Sequence, residues 1–132
     1  MRLLHTSDWH LGRRLHGEEL LAEQGVFLEW LLALAVAEQA DAVLVSGDVY
    51  DRAQPGADAI ALMDRTVASF ARARIPLIIS SGNHDSAVRL QYAGAVMAEA
   101  GIHLRTSVEQ AVDPVLLSDE GGQVGVYGIP YV

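Results

Sequence analysis

Residues 42–51 of this 132-residue chain read Ala42-Val43-Leu44-Val45-Ser46-Gly47-Asp48-Val49-Tyr50-Asp51. The run over 42–46 is apolar almost throughout, which is typical of a parallel strand that is buried on both faces. Gly47 then lets the backbone turn sharply as the strand ends, and two carboxylates follow. Because sites in open α/β sheets form at the carboxyl ends of strands, this stretch predicts a central strand that runs into a polar site.

Strand and helix patterns alternate on both sides of this stretch, within a length typical of one domain. We predict strands over 2–6, 42–46, 76–80 and 102–106, helices over 18–40, 57–73 and 86–100, and a hairpin of 114–118 with 123–129 that turns at Gly121-Gly122. Such alternation predicts an α/β fold with a largely parallel sheet.

The composition excludes several classes of protein. Half of the chain is apolar (51%), so it should fold, and it has no cysteine for disulfides or thiolate metal ligands. No stretch reaches the roughly 18 apolar residues of a membrane span, and a polar motif follows the start of the chain, so we expect a cytoplasmic protein with no membrane partner. The net charge of −8 counts against a stand-alone DNA-binding module, but less against a nuclease, whose metal ions would neutralise an acidic site.

Polar motifs follow each of the first three long strands. They are Asp8-Trp9-His10, Gly47-Asp48-Val49-Tyr50-Asp51 and Gly82-Asn83-His84-Asp85. We expect these strand ends to lie side by side and to gather five donors into one cleft, namely Asp8, His10, Asp48, Asn83 and His84. Carboxylate, imidazole and amide donors favour Mn²⁺, Fe²⁺ or Zn²⁺ over Ca²⁺. The carboxylate of Asp48 is a candidate bridge between two ions, which together form a clamp for phosphate ester cleavage. The imidazole of His84 suits a second role, facing the scissile phosphate or the leaving oxygen.

These three motifs together resemble the signature of the calcineurin-like metallophosphoesterases. The longer stretches 4–12, 46–51 and 81–86, with Ile129-Pro130-Tyr131, are similar to the SbcD family of nuclease subunits. The resemblance implies a four-layer α/β/β/α fold, of which this chain is the N-terminal portion. It also implies Mn²⁺-dependent double-strand exonuclease and single-strand endonuclease activity on DNA, and an SbcC-type ATPase partner of the SMC/Rad50 type.

Residue by residue, the resemblance implies that Asp8 and His10 hold the first ion, that Asp48 bridges, that Asn83 holds the second ion, and that His84 is the catalytic histidine. It implies a homodimer through the helices 57–73 and 86–100. The family's site also needs a further histidine and a Gly-His-x-His motif, whereas only His103 follows His84 here. We therefore expect residues 1–132 to be the N-terminal part of the nuclease domain, ending before its C-terminal metal-binding histidines, and to cleave poorly or not at all alone.

Other residues in and near the motifs are expected to have supporting or surface roles rather than to bind metal. We expect Asp51 and Asp85 to cap helices or hold loops. Four residues are candidate DNA contacts, with solvated surface charge as the alternative: Arg13, Arg14, His16 and Arg52. Trp9 either shapes the cleft or packs on the next helix. Two other functions remain open on the same fold: a phosphodiesterase or phosphatase for small molecules or phosphoproteins, and a metal-free interaction scaffold.

Overall fold

The fold comes from a computed structural model that describes all 132 residues. The strands and helices are, in chain order, β1 (Leu3–Thr6), β2 (Arg14–Leu15), β3 (Glu18–Glu19), α1 (Leu21–Ala37), β4 (Ala42–Ser46), α2 (Ala57–Ala73), β5 (Leu77–Ser80), α3 (Ala87–Leu90), α4 (Gly94–Glu99), β6 (Ile102–Arg105), a 3₁₀ helix (Glu109–Val112), β7 (Val115–Asp119) and β8 (Gly122–Val126). No helix combines the length and the apolar character that a membrane crossing needs.

Four strands form one parallel sheet in the order β1-β4-β5-β6. The chain adds each strand beside the last one and returns through a helix each time, so the carboxyl ends of neighbouring strands share one edge. The predicted α/β fold with a parallel sheet is therefore confirmed.

The main core lies between this sheet and the helices. Side chains of β4, β5 and β6 that point to this face pack with inward residues of α1 and α2, among them the fully buried Phe70. The opposite face is covered by the antiparallel β7–β8 hairpin, where Ile78 packs with Val115 and Leu117. The 132 residues thus form three layers of the expected four: helices, parallel sheet and the hairpin.

The predicted helix 18–40 is too long at both ends. Glu18 and Glu19 instead pair with Leu15 and Arg14 in the short β2–β3 hairpin, so α1 begins at Leu21. The helix ends at Ala37 because Gln39 takes a left-handed conformation (φ 50°), and the following amide bonds back to the Ala35 carbonyl. This is a Schellman ending, formed here without glycine.

The predicted helix 86–100 is broken into α3 and α4. Ala93 has φ 57°, and this left-handed residue starts α4 in a new direction. Gly94 then lies so close to Leu104 and to the Gln91 side chain that an added Cβ would touch both. After this break α4 packs on β6, an arrangement that the helical preference of the Ala-rich segment does not predict.

The predicted hairpin is confirmed with a shifted turn. The strands end at Asp119 and resume at Gly122, so the turn is Glu120-Gly121, and the Gly121 amide donates to the Asp119 carboxylate (2.7 Å). Strand β8 ends at Val126 rather than at 129. Beyond it the chain crosses the sheet edge, where the Tyr131 amide donates to the Ser81 carbonyl (2.8 Å).

Candidate metal centre

The first two polar loops continue the parallel sheet beyond its strands. The amides of Asp8, His10 and Leu11 donate to the carbonyls of Gly47, Asp48 and Val49 at 3.1, 2.9 and 2.9 Å. This ladder extends the pairing of β1 with β4, and it fixes the two motifs side by side as predicted.

Three candidate ligands have an unusual backbone. Asp8, His10 and Asp48 have φ values of 56°, 46° and 51°, in the left-handed region that few non-glycine residues adopt. Such conformations cost about 1–3 kcal/mol each and persist only where the surroundings determine them. The fold therefore accepts local strain to direct these side chains, which is typical of a functional site.

The third loop packs on the second through two glycines. A Cβ on Gly47 would lie 2.9 Å from the Cα of Gly82, and a Cβ on Gly82 would overlap the backbone and carboxylate of Asp48. The His84 amide donates to Asp48 Oδ1 (2.9 Å), which leaves Oδ2 for other contacts. Only glycine at both positions allows this close approach.

Asp85 holds the second and third loops together. Its Oδ2 accepts from the amides of Val49 (3.1 Å) and Gly82 (2.9 Å), and its Oδ1 accepts from the Tyr50 amide (2.9 Å). The expectation that Asp85 supports a loop therefore agrees with the geometry. Burial, followed by the nearby carboxylates of Asp85 and Asp64, raises the pKa of the Tyr50 phenol to about 12.

The side chains converge at this edge of the sheet. One donor atom each from His10, Asp48 and His84 lie within 4.8 Å of one another. His10 Nε2 is 3.7 Å from Asp8 Oδ1 and 3.7 Å from Asp48 Oδ2. Donors that share one ion at bond lengths of about 2.1 Å are separated by roughly 3–4 Å. The two 3.7 Å distances from His10 exceed a hydrogen bond and match the spacing around a divalent cation.

The two histidine rings differ in how their Nδ1 atoms are partnered. The His84 Nδ1 lies 2.8 Å from the Asp51 carbonyl oxygen. Because a carbonyl only accepts, Nδ1 carries the proton of this hydrogen bond, and Nε2 is the ring nitrogen that the bond does not use. His10 Nδ1 is buried without a hydrogen-bond partner, and its nearest carboxylate oxygen is Asp51 Oδ1 at 3.4 Å. A buried ring nitrogen in this state, among carboxylates 12–20% exposed, fits a ligand set for a divalent ion.

Not every predicted residue joins this cluster. Asn83 is exposed and lines, with Asp48 and Gly82, a neighbouring cavity of about 510 Å³ under the chain end at 126–131. Trp9 is buried in the core, where its indole donates to Thr6 (3.1 Å), so of its two interpretations the packing role fits. His5 bonds to the Ser46 hydroxyl (2.8 Å) on the hairpin side of the sheet, away from the donor cluster.

The candidate DNA contacts flank the cluster on one side. Arg13 Nε lies 4.0 Å from Asp51 Oδ1, and Arg14 is held in the β2–β3 hairpin by the Gly17 carbonyl (3.0 Å) and Glu19 (3.5 Å). With Arg52 these arginines line a cavity of about 290 Å³ beside the start of α2. The His16 side chain is exposed in the turn of the hairpin.

Gln24 was not among the residues predicted from the sequence. It is the polar member of the inward stripe of α1, and its amide contacts the loop that carries His10. A polar residue four positions before buried Leu28 was the available signal.

A carboxylate and imidazole cluster at the carboxyl edge of an α/β sheet defines a candidate site for divalent metal ions. Comparison with known proteins agrees, because the profile of the family described as calcineurin-like phosphoesterase matches residues 1–128. The chain belongs to the calcineurin-like phosphoesterase family.

Two curated relatives narrow the similarity. A protein from Staphylococcus saprophyticus, named as the SbcD component of the nuclease SbcCD, is 36% identical over 132 residues, which are 99% of this chain and 34% of the relative. A protein of the same name from Rhodobacter capsulatus is 44% identical over 106 residues, 79% of this chain and 26% of the relative. The resemblance to SbcD-type nuclease subunits is thus confirmed, over a chain that spans about a third or less of these relatives.

Proposed function

We propose that this chain is the N-terminal, metal-binding part of a nuclease subunit that hydrolyses DNA phosphodiester bonds, as a double-strand exonuclease and single-strand endonuclease. The observation that carries the proposal is the cluster of His10, Asp48 and His84, flanked by Asp8, at the carboxyl edge of the sheet. Family membership and two relatives named as components of a nuclease support the reaction class.

The roles are those that the resemblance to the family implies for these residues. Asp8 and His10 hold one divalent ion, Asp48 is shared by two, and Asn83 serves the second; we propose Mn²⁺ for both. Two such ions, when bound, supply an activated water and neutralise charge on the phosphoryl oxygens. Asp48 suits the shared position because it is buried and because one of its oxygens is already fixed by the His84 amide.

His84 handles the proton in this proposal. Its Nδ1–H donates to the Asp51 carbonyl, which holds the ring edge-to-face on His10 at 4.8 Å between centroids. A proton on Nε2 would then be directed at the phosphate or the leaving oxygen, as general acid catalysis requires.

The DNA backbone would be held by local cations rather than by overall charge, since the net charge is −8. Arg13, Arg14 and Arg52 share one cavity with the carboxylates of Glu19, Asp51 and Asp58, and His16 lies on the adjoining hairpin. Guanidinium groups match phosphate oxygens in pairs, so this cavity suits a backbone phosphate next to the bond that is cut.

The partners that the resemblance to the family implies are also proposals. We propose an SbcC-type ATPase of the SMC/Rad50 class as partner, and a homodimer through the region of α2, α3 and α4. The dimer is supported by an apolar groove of about 430 Å³ between these helices, where Val88 and Tyr92 are 84% and 83% exposed. A cytoplasmic, nucleoid-associated location stays a prediction.

Mn²⁺ titration calorimetry at pH 7 tests the site. We expect binding by the wild type and loss of the binding heat in Asp48→Asn, which keeps an acceptor for the His84 amide. Asp64→Asn is the matched control, because this exposed carboxylate on α2 is not among the cluster donors. Equal affinities in all three proteins would refute the metal assignment.

Cleavage assays test the reaction. The longest product of the gene should degrade linear double-stranded DNA and nick single strands with Mn²⁺, and residues 1–132 alone should do so poorly. Much faster hydrolysis of a nucleotide ester or a phosphopeptide would favour a phosphodiesterase or phosphatase instead. Absence of both metal binding and hydrolysis would leave the interaction scaffold.

A further inference from the structure

Gln24 occupies an unusual place on α1. It lies one turn before Leu28 and two turns before Leu31, on the face that packs against the core. The residue at 24 is half-buried, and its side chain is directed at the loop over 9–12 rather than at solvent.

Its carboxamide makes three hydrogen bonds to that loop. Nε2 donates to the carbonyls of Trp9 (2.9 Å) and His10 (2.8 Å), and Oε1 accepts from the Gly12 amide (3.0 Å). The partners fix the orientation of the amide, because carbonyls only accept and a backbone N–H only donates. All donors and acceptors that Gln24 directs at the loop are thus used.

These bonds complete the restraint on His10. The amide side of the loop is held by the ladder to Gly47, Asp48 and Val49. The carbonyls of Trp9 and His10 point the other way and both accept from Gln24, and the His10 carbonyl also accepts from the Arg13 amide (3.0 Å). His10 therefore keeps its left-handed backbone (φ 46°) because α1 and β4 hold the loop from opposite sides.

We infer that Gln24 is a positioning residue for the metal centre, which sets the backbone of His10 and so the direction of its imidazole. The inference rests on the proposed function in that it takes His10 as a metal ligand. Groups that orient a ligand from behind typically change metal affinity about 10–100-fold when removed.

Gln24→Met tests the inference, because methionine keeps the length of the side chain and removes every hydrogen bond. The matched control is Gln110→Met. Gln110 Oε1 accepts from the amides of Thr106 (2.8 Å) and Ser107 (3.1 Å), on the loop after β6 at the opposite edge of the sheet from β1. Both variants lose bonds from a carboxamide to a loop, but only one of these loops carries His10.

Two measurements are compared for each variant. In the metal-free chain, the wild type and Gln110→Met should show a nuclear Overhauser effect between the His10 and His84 rings, whose centroids are 4.8 Å apart, and Gln24→Met should lose it. By calorimetry, Gln24→Met should raise the Kd for Mn²⁺ at least about tenfold while Gln110→Met leaves it within about twofold.

The outcomes separate the two proposals. An unchanged ring contact in Gln24→Met overturns the positioning role, whatever the metal does. An equal rise in Kd for both variants also overturns it, since the effect would then be general destabilisation. If the wild type gives no binding heat, the C-terminal histidines that residues 1–132 lack are needed for metal binding, and the ring contact alone decides whether Gln24 directs His10.

Discussion

Replacing Asp85 by asparagine should destabilise the chain more than any surface charge change. The carboxylate accepts three backbone N–H groups, from Val49, Tyr50 and Gly82. An asparagine has nearly the same shape, but its NH₂ group must face at least one of these donors. That N–H loses its partner, at about 1–3 kcal/mol, and the remaining bonds lose their charge, at about 0.5–1 kcal/mol each. We expect the free energy of unfolding to fall by about 2–5 kcal/mol.

Urea unfolding followed by circular dichroism at pH 7, without metal, measures this loss. Asp64→Asn is the control, since that carboxylate is exposed and should change stability by less than about 0.5 kcal/mol. A domain is stable by only about 5–15 kcal/mol, so the expected loss is easily resolved. If Asp85→Asn unfolds within about 0.5 kcal/mol of the wild type, the three-bond clamp does not hold the loops together, and the reasoning is wrong.

Three further changes test other parts of the structure. Gly82→Ala should raise the Kd for Mn²⁺ at least about tenfold by calorimetry, because the added Cβ would push Asp48 aside; an unchanged Kd would contradict the close approach. Burial raises the pKa of Tyr50 to about 12, so the folded chain favours the neutral phenol. Because the unfolded chain ionises first, the folded chain loses stability between about pH 10 and 12. The absorbance step of the phenolate near pH 12 should be missing from Tyr50→Phe. Burial, and then Arg105, lowers the pKa of His103. The unfolded chain therefore takes up a proton first, and stability falls as the pH drops below about 6.5. The free energy of unfolding in urea should differ less between pH 7.5 and pH 5.5 for His103→Gln than for the wild type.

The sheet and the adjacency of the three motifs could be predicted from the sequence because both depend on local patterns. The runs at 42–46 and 76–80 are apolar on both faces, and only a central position in a parallel sheet buries them so completely. Once these strands are neighbours, their carboxyl ends and the loops after them must share an edge. The convergence of His10, Asp48 and His84 therefore follows from strand order.

The errors arise where contacts between distant segments decide the local conformation. Gly17 is the one turn signal in residues 13–19, and Glu18-Glu19 after it fit the first turn of a helix as well as strand β3. The break at Ala93 has no proline or glycine at the left-handed position, and it precedes a helix that packs on the distant strand β6. Such positions are readable only when the partner segment is known.

The same limit explains why Gln24 was missed while Asp85 was anticipated. Asp85 belongs to the contiguous motif 82–85, so its neighbours in sequence indicate that it has a role at the site. Gln24 is 14 residues from His10, and the helical pattern alone gives it no more meaning than any other amide. Its role becomes visible only when the left-handed backbone of the loop turns two carbonyls toward α1. The strained backbone of His10 and the polar Gln24 in the apolar stripe of α1 are therefore parts of one arrangement. The sheet holds the loop over 9–12 from one side, and the helix after the first motif holds it from the other.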